Sequence, residues 1–138
     1  MNKKVYLDTN ILLDFLDETR KNSKYSKELL YQLTLQNYKI VISEDMITTV
    51  FYIDRENTRV LNFLKNIVCK KWSISEFGTE TIGVAIDLSL KHNLDLEDIL
   101  QCLCAKNNDC QTLITNDKKF HDCGIKIETA ESFLAKVR

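Results

Sequence analysis

Val5-Tyr6-Leu7-Asp8-Thr9-Asn10 sets three apolar residues directly before an acid and two further polar residues. A run this short, with β-favouring Val and Tyr and an immediate stop, reads as a buried strand with Asp8 at its carboxyl end. Outward from it the same figure repeats: Lys39–Ile42 stops at Ser43, and Thr112–Ile114 runs into Thr115-Asn116-Asp117. Trp72–Ile74 and Ile125–Ile127 read as two more short strands. Helical patterns fill the intervals. Asn22 or Ser23 caps a helix that buries Tyr25, Leu29, Leu30 and Leu33 and ends near Asn37. Ser43 caps another, with Glu44 and Asp45 in its favourable first turn. Val60, Leu61, Leu64, Ile67 and Val68 form a core-facing stripe, as do Ile82, Ala85, Ile86, Ser89 and Leu90 before Asn93. Asp95 caps a helix burying Leu96, Ile99, Leu100 and Leu103, and Thr129 caps a last one through Phe133, Leu134 and Val137. Short apolar strands alternating with amphipathic helices predict an α/β protein in three layers, a short central parallel sheet with helices on both faces. No linker, repeat or charge block interrupts the pattern, so a single domain over residues 1–138 is expected.

Composition narrows the function. Nineteen Lys+Arg against twenty Asp+Glu give a net charge of −1, which excludes a nucleic-acid binder held by bulk positive charge; any such site must be local. Three scattered glycines, Gly78, Gly83 and Gly124, cannot build the Gly-rich phosphate loops of dinucleotide-binding or P-loop folds. The run Val5–Leu7 is too short for a signal-peptide core, and no apolar run spans a bilayer, so a cytoplasmic protein without membrane contact is expected. Five cysteines, Cys69, Cys102, Cys104, Cys110 and Cys123, are odd in number and lack framework spacing, which predicts free thiols in a reducing compartment. Zinc is not expected. Cys102 and Cys104 sit two residues apart on a helix, about 200° round its axis, and neither His92 nor His121 has ligand spacing.

In parallel α/β sheets function gathers at the carboxyl ends of the strands. Asp8 ends the first strand, Asp117 follows the Thr112–Ile114 strand, and Asp95, Glu97 and Asp98 crowd the first turn of a helix arriving at the same edge. Carboxylates converging on one cleft repel each other unless a cation neutralises them, and hard oxygen donors suit Mg²⁺ or Mn²⁺. Such a site fits phosphodiester hydrolysis. Each acid also has a structural duty open to it: Asp8 capping a helix that starts at Ile11, Asp95 heading a capping box with Asp98, Asp117 closing an Asx turn.

Asp8-Thr9-Asn10 after the leading strand, Asp98 within Asp95-Leu96-Glu97-Asp98-Ile99-Leu100-Gln101, and Leu113-Ile114-Thr115-Asn116-Asp117 together resemble the PIN-domain ribonucleases. The likeness runs in order from Val5 to Leu134, and is nearest to the VapC-like toxins of toxin–antitoxin pairs. It implies a PIN-like α/β/α fold and Mg²⁺- or Mn²⁺-dependent endonucleolytic cleavage of RNA to a 5′-phosphate and a 3′-hydroxyl. It further implies an antitoxin protein as candidate partner, and a homodimer, for which the helical segment from Asn22 to Asn37 is one available surface. Asp8, Asp98 and Asp117 match the family's catalytic, metal-holding acids, and Asn10 and Thr115 its supporting polar positions, with Asp95 supporting the helix acid. Lys118 and Lys119 are candidates to hold flanking RNA phosphates, and Tyr52 and Arg55 to touch RNA by stacking or charge.

One position departs from the family. Its glutamate six residues after the serine closing the second strand falls here on Thr49, which cannot be an anionic ligand. Asp45, four residues before Thr49 and on the same helical face, is the candidate replacement; Glu44 points about 140° elsewhere. Ile99 is also bulkier than the small residue usual after the helix acid. The departure motivates a second reading, a catalytically degenerate domain that binds a protein in its acidic cleft. An aspartate-nucleophile phosphatase is excluded because Asn10, not an acid, stands two residues after Asp8.

Overall fold

The computed structural model describes residues 2–53 and 57–138. Five parallel strands, β1 (Lys4–Leu7), β2 (Lys39–Ser43), β3 (Ser73–Ser75), β4 (Thr112–Ile114) and β5 (Lys126–Glu128), form one sheet in the order β3-β2-β1-β4-β5. β1 is central. It pairs Lys4 with Lys39 on one side and Val5 with Thr112 on the other, and Val5, Tyr6 and Leu7 are fully buried, as a strand covered on both faces requires.

The helices are α1 (Thr9–Leu16), α2 (Ser23–Leu35), α3 (Asp45–Ile53), α4 (Asn57–Phe63), α5 (Cys69–Lys71), α6 (Thr79–His92), α7 (Leu96–Asn107) and α8 (Ala130–Val137). Leu29, Leu30 and Leu33 seat α2 against α1 and α8, while α7 lies against β2 and β4 with α6 outside it. The chain steps β1 to β2 to β3 through α1–α5, then returns to β4 through α6 and α7. Because parallel crossovers keep one hand, reversing the direction of travel along the sheet puts the two groups of helices on opposite faces. Among the described residues no helix is long and apolar enough to cross a membrane.

Local chemistry explains the boundaries. Thr129 caps α8 by accepting from the Ser132 N–H at 3.0 Å, and Asp95 caps α7 by accepting from the Asp98 N–H at 3.0 Å. Asn93 ends α6 in the left-handed region at φ 53°, a conformation that asparagine tolerates. Between α4 and α5 the helix widens into a π-helical stretch, Leu64–Val68. Val60, Leu64 and Val68, spaced four apart, share the buried face, while Leu61 lies exposed and Ile67 half-buried.

The structure corrects several expectations. α1 starts at Thr9, two residues before Ile11, because Asp8 caps it from the strand end. Ser43 donates its hydroxyl to the Asp45 carboxylate, and among the described residues no helix N–H donates to it. The α6 stripe is largely outside: Ala85 is buried, but Ile82, Ile86 and Leu90 are exposed, since α6 packs on α7 and not on the sheet. On α7 the buried residues are Ile99, Gln101, Cys102, Cys104 and Ala105, so the helix is rotated away from the Leu96–Leu100–Leu103 face. Nor are all the thiols free. Cys102 on α7 is bridged to Cys123 in the β4–β5 connection, whereas Cys69, Cys104 and Cys110 are free. The pair lies 21 residues apart and meets only through the tertiary fold, so spacing gave no sign of it.

Candidate active site

β1 feeds its crossover toward β2 and β4 receives its own from β3, so the chain diverges between neighbouring β1 and β4. Such a switch point leaves a crevice at the strand carboxyl ends. Asp8 and Thr115 flank it, and the Asp8 N–H reaches the Ile114 carbonyl across it at 3.0 Å.

Asp8 is buried, yet its carboxylate is well furnished. Oδ1 accepts from the Thr9 N–H at 2.9 Å; Oδ2 accepts from the Thr115 hydroxyl at 2.8 Å and the Asn10 amide at 3.2 Å. Asn10 also donates to Thr115 Oγ1 at 3.0 Å, and that oxygen accepts the Asp117 N–H at 3.1 Å. Asn10 and Thr115 thus fix both the first acid and the start of the loop bearing Asp117. Burial pushes the Asp8 carboxyl up to about 6; the bonds from Thr115 and Thr9 oppose it, and the charges of Asp98 and Glu97 add to it.

Asp98 arrives on the first turn of α7. Burial, together with the charges of Asp95 and Asp117, raises its pKa, while the His121 N–H, donating to Oδ2 at 3.4 Å, opposes the rise. Glu97 is raised by burial and by the charges of Asp45, Asp95 and Asp98. The acids from β1, α7 and the β4 loop therefore lie within one another's fields. Asp117 is exposed, and it closes an Asx turn by accepting the Lys119 N–H at 2.9 Å. Lys118 and Lys119 are exposed beside it. Tyr52 is 80% exposed and not core; Arg55 lies outside the described residues.

Thr49 is bound back into its own helix. Its hydroxyl donates back to the Asp45 carbonyl at 3.1 Å, and the Asp45 carboxylate accepts from Ser43 and, at 3.3 Å, from Gln101. Gln101 in turn accepts from the Tyr6 phenol, whose pKa burial drives far up, so Tyr6 stays a neutral donor. Asp45 is thereby tethered at the α7 side of the cluster, where its charge acts on Glu97.

Sequence reasoning missed this Tyr6–Gln101–Asp45 chain and a second one behind the site. Asn116 donates to Asp14 Oδ2 at 2.7 Å, accepts the Ala130 N–H at 3.2 Å, and gives its own N–H to Asn10 Oδ1 at 3.1 Å. Asp14 is buried and paired with Arg20 at 2.7 Å. The residue between Thr115 and Asp117 thus ties α1 and α8 together. Asn116→Ala leaves an Asp14 oxygen and the Ala130 N–H unmatched, and is expected to cost about 2–3 kcal/mol in a urea melt.

The donor chemistry fits a hard divalent cation: oxygen ligands, mutually repelling carboxylates, and a buried Thr9 hydroxyl without a hydrogen-bond partner among the described residues. Among the described residues no three His, Cys, Asp or Glu side chains already close on one point, so a cation would have to draw its ligands together.

Comparison with known proteins agrees with this architecture. The family model described as PIN domain matches residues 5–126. Ribonuclease VapC1 of Aquifex aeolicus (strain VF5) is 35% identical over 136 residues, covering 96% of this chain and 94% of that protein. Among solved structures, VapBC2 from Rickettsia felis bound to a DNA fragment from its promoter superposes with TM-score 0.65 at 21% identity, over 91% of this chain and 98% of that one. VapC20 of Mycobacterium tuberculosis, a sarcin-ricin loop cleaving toxin, gives TM-score 0.69 at 10% identity, over 88% and 95%. At those identities the two structures speak to the fold alone.

Proposed function

This chain belongs to the PIN-domain family, and from that premise we propose that it is a metal-dependent endoribonuclease, the toxin of a toxin–antitoxin pair. What supports the reading is that Asp8, Asp98 and Asp117 come from neighbouring elements at the β1–β4 switch point and act pairwise on one another: the charge of Asp98 raises Asp8, and that of Asp117 raises Asp98. The ribonuclease name of the Aquifex relative supports RNA as substrate.

Asp8, Asp98 and Asp117 would hold Mg²⁺ or Mn²⁺, with Asp45 at the margin. When bound, the cation supplies Lewis-acid polarisation of the scissile phosphate and acidification of a water. The chain's own residues do the rest. Asn10 and Thr115 hold Asp8 Oδ2 in one orientation, and Asp95 caps α7 so that Asp98 is presented from a fixed first turn. Lys118 and Lys119 offer point charges to the flanking phosphates.

An antitoxin would cover this acidic cleft with a basic side chain; a solved structure of like fold, from Klebsiella pneumoniae, is described as a toxin–antitoxin complex. A homodimer is the further proposal, supported by Ile82, Val84, Ile86 and Leu90 left exposed on α6. Leu90→Glu is expected to shift the mass measured by light scattering from dimer to monomer. The reaction itself is tested on a mixed structured and single-stranded RNA pool. Cutting is expected with Mn²⁺ or Mg²⁺ and none with EDTA. A folded protein that neither cuts nor binds metal by calorimetry overturns the nuclease reading in favour of a protein-binding module.

A further inference from the structure

The Cys102–Cys123 bridge joins the two elements that bring Asp98 and Asp117 together. Cys102 stands four residues after Asp98 on α7, one turn on and on the same face. Cys123 lies six residues beyond Asp117 in the β4–β5 connection. The residues between Asp117 and the bridge therefore pass over the start of α7, where the His121 N–H meets Asp98 Oδ2 at 3.4 Å. At the bridge itself the Cys123 N–H points to Cys102 Sγ at 3.0 Å, and the Cys123 carbonyl accepts from Lys106 at 3.1 Å. Upstream, Asp117 is anchored through Thr115 and Asn116; downstream, the covalent tie is this bridge.

We propose that Cys102 and Cys123 are positioning residues for the acidic site, and that reduction of their bridge by a dithiol weakens divalent-cation binding and RNA cleavage. The inference rests on the metal-dependent nuclease reading. Cys123 is half-buried and Cys102 fully buried, so the sulfur open to attack is that of Cys123. A thiolate of the reductant bonds to Cys123 Sγ, the S–S bond breaks, and Cys102 leaves as a thiolate that takes a proton from solvent. The reductant's second thiol then attacks its own sulfur in the mixed disulfide. Cys123 leaves as a thiol, and the reductant departs as an intramolecular disulfide, having supplied two electrons and two protons. Cys104 does not intercept the exchange. It lies about 200° round the helix from Cys102, with its sulfur 3.7 Å from the Asn108 amide on the far side.

The test uses the full chain purified without reductant, with the bridge verified by mass after alkylation. Mn²⁺ affinity by calorimetry and RNA cleavage are measured for this form, for protein reduced with dithiothreitol and desalted without air, and for the Cys102→Ser/Cys123→Ser variant. Reduction is expected to weaken Mn²⁺ binding by about tenfold or more, the scale of losing a group that orients metal ligands. Cleavage should fall with it, and reoxidation of the wild type should restore both. Cys69→Ser, which removes the exposed thiol, should respond as the wild type does. Equal Mn²⁺ affinity and cleavage in the oxidised and reduced forms overturn this inference alone, as does alkylation of both cysteines in the native, unreduced protein. Failure of the oxidised form to bind Mn²⁺ overturns the metal-site reading and this inference together.

Discussion

Asp8→Asn is expected to cripple cleavage and, at neutral pH, to make the protein more stable. The asparagine keeps the shape of the side chain and removes the charge that would hold a cation, so turnover on the RNA pool is expected to fall by about 10²–10³-fold, the scale of deleting one preorganised electrostatic partner. The gain in stability follows from the same burial. An aspartate that ordinarily titrates near 3.8 is pushed up to about 6 in the fold, so between those values the native chain keeps a proton that the unfolded chain has lost. The wild type is accordingly favoured below that window and loses this contribution as pH rises through about 6. The substituted asparagine does not titrate. It also sets one amide N–H₂ against donors from Thr115, Asn10 or Thr9, so the net gain at pH 7–8 is expected to be about 1–2 kcal/mol rather than the full shift. Parallel melts of the two proteins check this. Their difference should shrink or reverse by pH 4, and a wild type as stable as Asp8→Asn at every pH would refute the strained carboxylate.

Arg20→Ala is expected to have the largest purely structural effect. The Asp14 side chain is 6% exposed, and Arg20, itself 37% exposed, is its ion-pair partner. Removing the arginine leaves a buried carboxylate without its ion-pair partner, and breaking a buried pair from one side costs about 3 kcal/mol. A second substitution identifies the cause. The double variant Arg20→Ala, Asp14→Asn, with no charge left to bury, should be more stable than Arg20→Ala. If the single variant melts like the wild type, the pair contributes nothing. Because Asn116 joins Asp14 to the Asp117 loop, loss of Arg20 should also weaken cleavage, though far less than loss of Asp8.

The sequence disclosed what short-range chemistry dictates. Asp8 and Thr115 announce themselves because an apolar run too short for a helix stops at each of them, with Asp117 two residues further on, and parallel topology then brings the stops together. Capping by Asp95 and Thr129 is equally local. What escaped depends on partners far along the chain. Gln101 has no reason of its own to be buried until Tyr6 and Asp45 appear beside it. Asn116 looks like any turn residue until Asp14 and Ala130 arrive. Cys102 and Cys123 look unrelated until α7 is laid against the β4–β5 connection. The apolar pattern of α6 marked a helix correctly, but periodicity cannot tell a face turned to the sheet from one left at the surface.

The central place of β1 also governs when the site can exist. Its neighbours pair with it across 35 residues on one side and 107 on the other. Closing so long a loop is slow, and a chain still emerging from the ribosome cannot begin it until β4 has been synthesised. Until then Asp8 stands on an open strand edge without the Thr115 hydroxyl or the Asp117 loop beside it. The acidic cleft is therefore a late product of folding: no part of the chain made before Thr112–Ile114 can assemble it.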